Sequence, residues 1–186
     1  MANNFFEPLG SLVLFSLFLM LLVDLILNST WNKTYFTTGV VIFTRKIKVD
    51  KRHSNIPAPS RFNSQFQSGW TNPIVFREIE LYTYGFREVL LAYRLFRYAP
   101  QMHGMLVFDF NNNQVVVKGF LNWWGVCELL MGIGVGFLFL DLTLTSIILF
   151  FIFFVFGISF WIQYYRYSNV ATFAAKAWIR EFKNES

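Results

Sequence analysis

Charge is scarce in this sequence. Only 15% of its 186 residues are charged, against about 25% in an ordinary soluble domain. Cysteine is scarcer still. Cys127 stands alone inside an apolar run, which excludes an intrachain disulfide and a thiolate zinc cluster. Histidine occurs twice, as His53 beside Arg52 in a proline-bearing stretch and as His103 ahead of a hairpin pattern. Nothing near either one suggests a nucleophile or carboxylate in reach together with a group to orient the ring as a general base. A phosphate loop is also missing. Gly132-Ile133-Gly134-Val135-Gly136 follows no strand pattern and lacks the Lys-Ser/Thr that would hold a phosphate. These absences predict no catalytic residue, no metal site, no cofactor and no identifiable small-molecule substrate. The chain therefore reads as a protein that is not an enzyme.

What the sequence does have is apolar mass: 55% hydrophobic residues, with 24 Phe among them. Two long runs carry much of it. Residues 9–27 are interrupted only by Gly10, Ser11, Ser16 and Asp24, and about 20 residues at 1.5 Å each cross a hydrocarbon core. No Lys or Arg precedes this run, so it reads as a retained helix rather than a cleaved leader. Residues 125–164 form the second run. As one helix it would be about 60 Å long, twice the core thickness, so it is expected to turn back near Asp141. That gives helices over 124–140 and 143–164. Trp123, Trp124, Trp161, Tyr164 and Tyr165 stand at their ends, where interfacial aromatics belong.

The expected fold is thus an integral membrane protein of mixed α+β class with three transmembrane helices. Residues 1–28 hold a leader and the first helix, and residues 124–165 a helical hairpin. A small β-rich domain, 29–123, is inserted between them, and residues 166–186 form a tail. Twelve Lys/Arg lie in residues 29–124 and four after Tyr165, with none elsewhere. The positive-inside rule then places the inserted domain and the tail in the cytoplasm, with the N-terminus outside.

Within the inserted domain, Val41, Phe43, Ile47 and Val49 contrast with Thr44, Lys46 and Lys48, which predicts a strand over 40–49. Residues 50–73 carry Pro57, Pro59 and Pro73 without a clear period and read as a linker. Phe76-Arg77-Glu78 recurs as Phe86-Arg87-Glu88, which suggests two similar strands joined near Gly85. Good helix formers over 88–96 leave residues 76–98 open between strand and helix. Asn111-Asn112-Asn113 between two apolar runs predicts a hairpin over 105–120. Its expected pairs are Phe110 with Val115, Phe108 with Val117 and Leu106 with Gly119.

The tail predicts a helix over 170–182, capped by Ser168-Asn169. Val170, Phe173, Ala174, Ala177 and Trp178 make its apolar arc. Arg166, Lys176, Arg180 and Lys183 are then expected to face anionic lipid headgroups. The competing use of the same arc is packing on the β domain. Gly132 and Gly136, four apart, are the expected contact surface for another helix, including one from a membrane-protein partner. Asp24 and Glu128 are the candidate intramembrane polar groups. The basic and aromatic run over 93–98 matches no nucleic-acid motif. The function that follows is an accessory, scaffolding or assembly subunit whose domain binds a partner protein or anionic lipid headgroups. The alternative is a small channel or transporter component using Asp24 and Glu128.

Overall fold

Five strands rich in β-branched and aromatic residues assemble into one antiparallel sheet. They are β1 (Val40–Lys48), β2 (Ile74–Glu80), β3 (Thr83–Glu88), β4 (Met102–Asp109) and β5 (Gln114–Leu121). Their order across the sheet is β1-β5-β4-β3-β2. The last four strands form a meander, and β1 closes it by pairing with β5. The computed structural model describes residues 15–16, 18–20, 22–24, 26–27, 29–49, 56–67, 71–89, 100–123, 125–126 and 143–184. Helix α1 (Lys33–Thr37) covers one sheet face. Helices α2 (Pro59–Gln65) and α3 (Thr143–Asn184) cover the other.

The α3 face is the principal core. Ile74, Phe76, Phe86, Leu106, Phe108, Val115 and Val117 meet Tyr167, Val170, Ala171, Ala174 and Trp178, all of them buried. Small residues at 171, 174, 175 and 177 let the helix approach the sheet closely. Trp178 stands edge-on to Phe108 and Phe110. Gly104 lies opposite Phe86 in the β3–β4 ladder. Its missing Cβ makes room for that ring, because a methyl there would lie 2.1 Å from it.

The structure departs from the expected hairpin pairing by two residues. Phe108 lies opposite Val115 and Leu106 opposite Val117. The cause is Asp109. Its carboxylate accepts from the Asn112 backbone N–H at 3.1 Å, the Asn112 amide at 2.7 Å and the Gln114 amide at 3.0 Å. The turn therefore spans residues 110–113, and Asn113 takes the positive φ of 47°. A shift of two keeps strand parity, so the expected apolar face is still the buried one. The β2–β3 turn falls at Leu81-Tyr82 rather than near Gly85. Gly85 lies within β3, where an added Cβ would strike Ile79 and Phe36. Within the 50–73 stretch, Pro59 opens α2, since proline's fixed φ suits a first helical turn, and Phe62 enters the core.

The largest correction concerns the membrane spans. Among the described residues, no helix is long and apolar enough to cross a membrane. The expected first span is helical where described. The expected second span, apart from Gly125 and Val126, and the turn at Asp141 lie outside the described residues. The expected third span is no separate helix. It continues unbroken as α3, with no start at Ser168-Asn169. The three-span integral membrane architecture, the multi-pass localisation and the inside–outside assignment are therefore not supported. Hydropathy misled for a physical reason. Phe36, Phe62, Phe76, Phe86, Phe108 and Phe120 raise the apolar content but are buried in the sheet domain. A helix that begins apolar and ends packed on a sheet also reads locally like a span.

Candidate functional site

Three residues within little more than one helical turn join α3 to the sheet. Gln163 Oε1 accepts from the backbone N–H groups of Gln101, at 2.9 Å, and Met102, at 3.1 Å. The Tyr167 hydroxyl donates to the Met102 carbonyl at 2.9 Å and accepts from the Glu88 N–H at 3.1 Å. Arg166 pairs with the Glu88 carboxylate and donates to the Asn72 carbonyl at 2.7 Å. Residues 163, 166, 167 and 170 share one helix face. That face satisfies buried backbone groups at the end of β3 and the start of β4, where an unpaired group would be costly. Gln163, a polar residue near the end of the apolar run and in phase with Tyr167 and Val170, was the available sequence signal.

A second polar node lies on the opposite face, under α1. His103 is fully buried, stacked between Tyr35 and Phe120, with Phe36 edge-on. The Asn122 amide donates to the Pro100 carbonyl at 2.9 Å, so its oxygen faces His103 Nδ1 at 2.8 Å. Nδ1 therefore carries the ring proton. Among the described residues Nε2 has no hydrogen-bond partner. Burial pushes the imidazole below its usual range, while Asn122 and the backbone of Thr38 and Tyr35 oppose that shift. The Tyr35 hydroxyl donates to Asp24 at 2.9 Å. Burial first, and then the Asp24 charge, push the Tyr35 phenol far above its usual range. Beside this node the Arg87 guanidinium lies 4.8 Å from the Trp31 ring centroid, a cation–π placement. Burial lowers its affinity for the proton.

These anchors hold two helical segments that leave large apolar side chains uncovered. On the first half of α3 they are Phe151, Phe154, Val155, Ile158, Trp161 and Tyr165. In the helical residues before α1 they are Phe15, Phe18, Leu19, Leu22, Val23 and Ile26. Helix α3 has 42 residues and is therefore about 60 Å long. Strands of nine residues or fewer reach only about 30 Å, so the sheet covers half of it. The exposure is set by geometry.

The expected site residues divide accordingly. Asp24 is buried against Tyr35, Arg166 is engaged by Glu88 and Asn72, and Lys176 is exposed. Arg180 and Lys183 lie on α3, and their side chains are not described. Glu128, Gly132 and Gly136 lie outside the described residues. The tail arc packs on the sheet: Trp178 is 0% exposed, and Phe173 contacts Phe62 and Phe66. Among the described residues, no group of three His, Cys, Asp or Glu could hold a metal ion.

Fold and site together define a sheet domain with an apolar helical extension. No family model, no curated protein and no solved structure matches the chain.

Proposed function

We propose that this protein is a non-enzymatic accessory or assembly protein whose uncovered helical surface docks side-on against a lipid surface. The carrying observation is the apolar row on the first half of α3, with Phe151 64%, Phe154 55% and Trp161 68% exposed. Contiguous apolar patches of this kind mark docking surfaces. Each large side chain removed from water contributes roughly 1.5–3 kcal/mol. Lipid is the favoured partner because no charged side chain interrupts residues 142–165. The run also ends in Trp161, Tyr164 and Tyr165 just before Arg166. Amphipathic aromatics next to a first charge suit the boundary between acyl chains and headgroups. This mode requires no crossing.

A second reading rests on spacing. Residues 151, 154, 158, 161 and 165 repeat at alternating steps of three and four, the period by which two helices pack. Flotation of the purified full-length protein with phosphatidylcholine vesicles separates the two. Lipid docking predicts co-flotation, lost in Phe151→Glu with Ile158→Glu. A protein that stays at the bottom of the gradient and sediments as a discrete oligomer without lipid would replace the lipid reading with the helix-pairing one.

A further inference from the structure

The two edges of the sheet are finished differently. The outer edge of β2 is closed over its first half. The Asn63 amide oxygen accepts from the Phe76 N–H at 2.6 Å, its nitrogen faces the Phe76 carbonyl at 3.5 Å, and the Ile74 N–H donates to the Phe66 carbonyl at 3.3 Å. Helix α2 thus occupies the hydrogen-bonding positions that another strand would use. The outer edge of β1 has no strand on it among the described residues. It is nine residues long, long enough to pair with an incoming segment.

The side chains beside this open edge have one sign. Lys46 lies opposite Val116 and Lys48 opposite Gln114, while Lys118 lies between Thr44 and Met105. The three lysines share the sheet face that α3 does not cover. Lys46 and Lys48 are exposed, and Lys118 is half-buried. Among the described residues none of them is paired with a carboxylate. Asp109, on the same face, is held by Asn112 and Gln114, and those bonds keep its carboxyl down at about 2.

We infer that the outer edge of β1 is a docking site for an extended acidic segment of a partner protein, which adds to the sheet as a sixth strand. In a strand, residues two apart share a face and stand about 6.8 Å apart. Carboxylates at alternate positions of the incoming segment therefore align with Lys46 and Lys48, while its backbone pairs with β1. A second copy of this chain does not fit. β1 contains no Asp or Glu that a second copy could set against Lys46 and Lys48, and positive charge on an edge suppresses pairing between copies. This inference does not depend on lipid docking.

The test titrates full-length protein with a fluorescent peptide in which glutamate alternates with threonine. The controls are the same composition with the glutamates grouped, the alternating peptide N-methylated along its backbone, and a single-stranded oligonucleotide of equal charge. The alternating peptide should bind tightest, and N-methylation should abolish binding. Lys46→Glu with Lys48→Glu should weaken binding about tenfold or more at unchanged melting temperature, since both side chains are exposed. Equal binding of the alternating and grouped peptides, indifference to N-methylation, tighter binding of the oligonucleotide, or no peptide binding would each overturn the inference.

Discussion

His103 is a buried titratable residue whose chemistry the fold alters. Its ring sits in an aromatic slot with Nδ1 committed to Asn122, and Asp24, Tyr35 and Arg87 lie around it. The folded imidazole has a lower pKa than the unfolded one, whose value is about 6.5. The unfolded chain therefore takes up a proton first as the pH falls. The stability this residue contributes is present above about pH 6.5 and is lost progressively below it. Chemical denaturation at a series of pH values should show stability falling from pH 7 toward pH 5. His103→Phe keeps an aromatic ring in the slot but removes the titrating group. It should flatten that slope, at a pH-independent cost of about 1 kcal/mol for the stranded Asn122 oxygen. A variant with the wild-type slope would show that another group carries the dependence.

At the scale of the element, the β4–β5 hairpin shows how local chemistry selects a register. Asp109 draws Asn112 and Gln114 into its carboxylate, and Asn113 takes the left-handed conformation at φ 47°. Asparagine tolerates this conformation, glycine accepts it freely, and a β-branched residue resists it. Asn113→Gly should leave the midpoint of thermal unfolding unchanged or slightly raised. Asn113→Val should lower stability by about 1–2 kcal/mol. Equal stability of the two variants would mean that the turn relaxes out of this conformation. The triple asparagine made the hairpin legible, and parity made its buried face legible. Its register was not, because that depends on which side chains the Asp109 carboxylate captures.

For the whole molecule, the decisive contact is between α3 and the sheet. Glu88 is 0% exposed, and the Arg166 side chain is 16% exposed. Removing one partner of such a pair leaves the other charge buried and uncompensated, at roughly 3–5 kcal/mol. Glu88→Ala should therefore destabilise strongly, and hydrogen exchange should rise in α3 around Tyr167 as well as in β3. Glu88→Leu with Arg166→Met should recover most of the loss, since apolar residues of similar volume often replace a buried pair at little cost. A double variant no more stable than Glu88→Ala would assign the loss to Asn72 and the β3 backbone instead.

The sequence by itself determined the local patterns. The strand over β1, the hairpin and its buried face and the helical tail with its apolar arc follow from period and turn chemistry, whereas the two Phe-Arg-Glu repeats stayed open between strand and helix until the sheet paired them. The repeats stand as Phe76 opposite Phe86. Only the tertiary structure decided what the apolar faces touch. The arc of Val170, Ala174 and Trp178 has the same composition whether it meets lipid or a sheet, and here it meets the sheet. The 143–164 run has the composition of a span, yet it is the first half of a helix anchored by Gln163, Arg166 and Tyr167. Burial of His103 and Glu88 was equally illegible, because their partners lie on strands and helices distant in sequence. Hydrophobic burial is non-directional. Composition therefore records that a face must leave water, and only packing records which surface receives it.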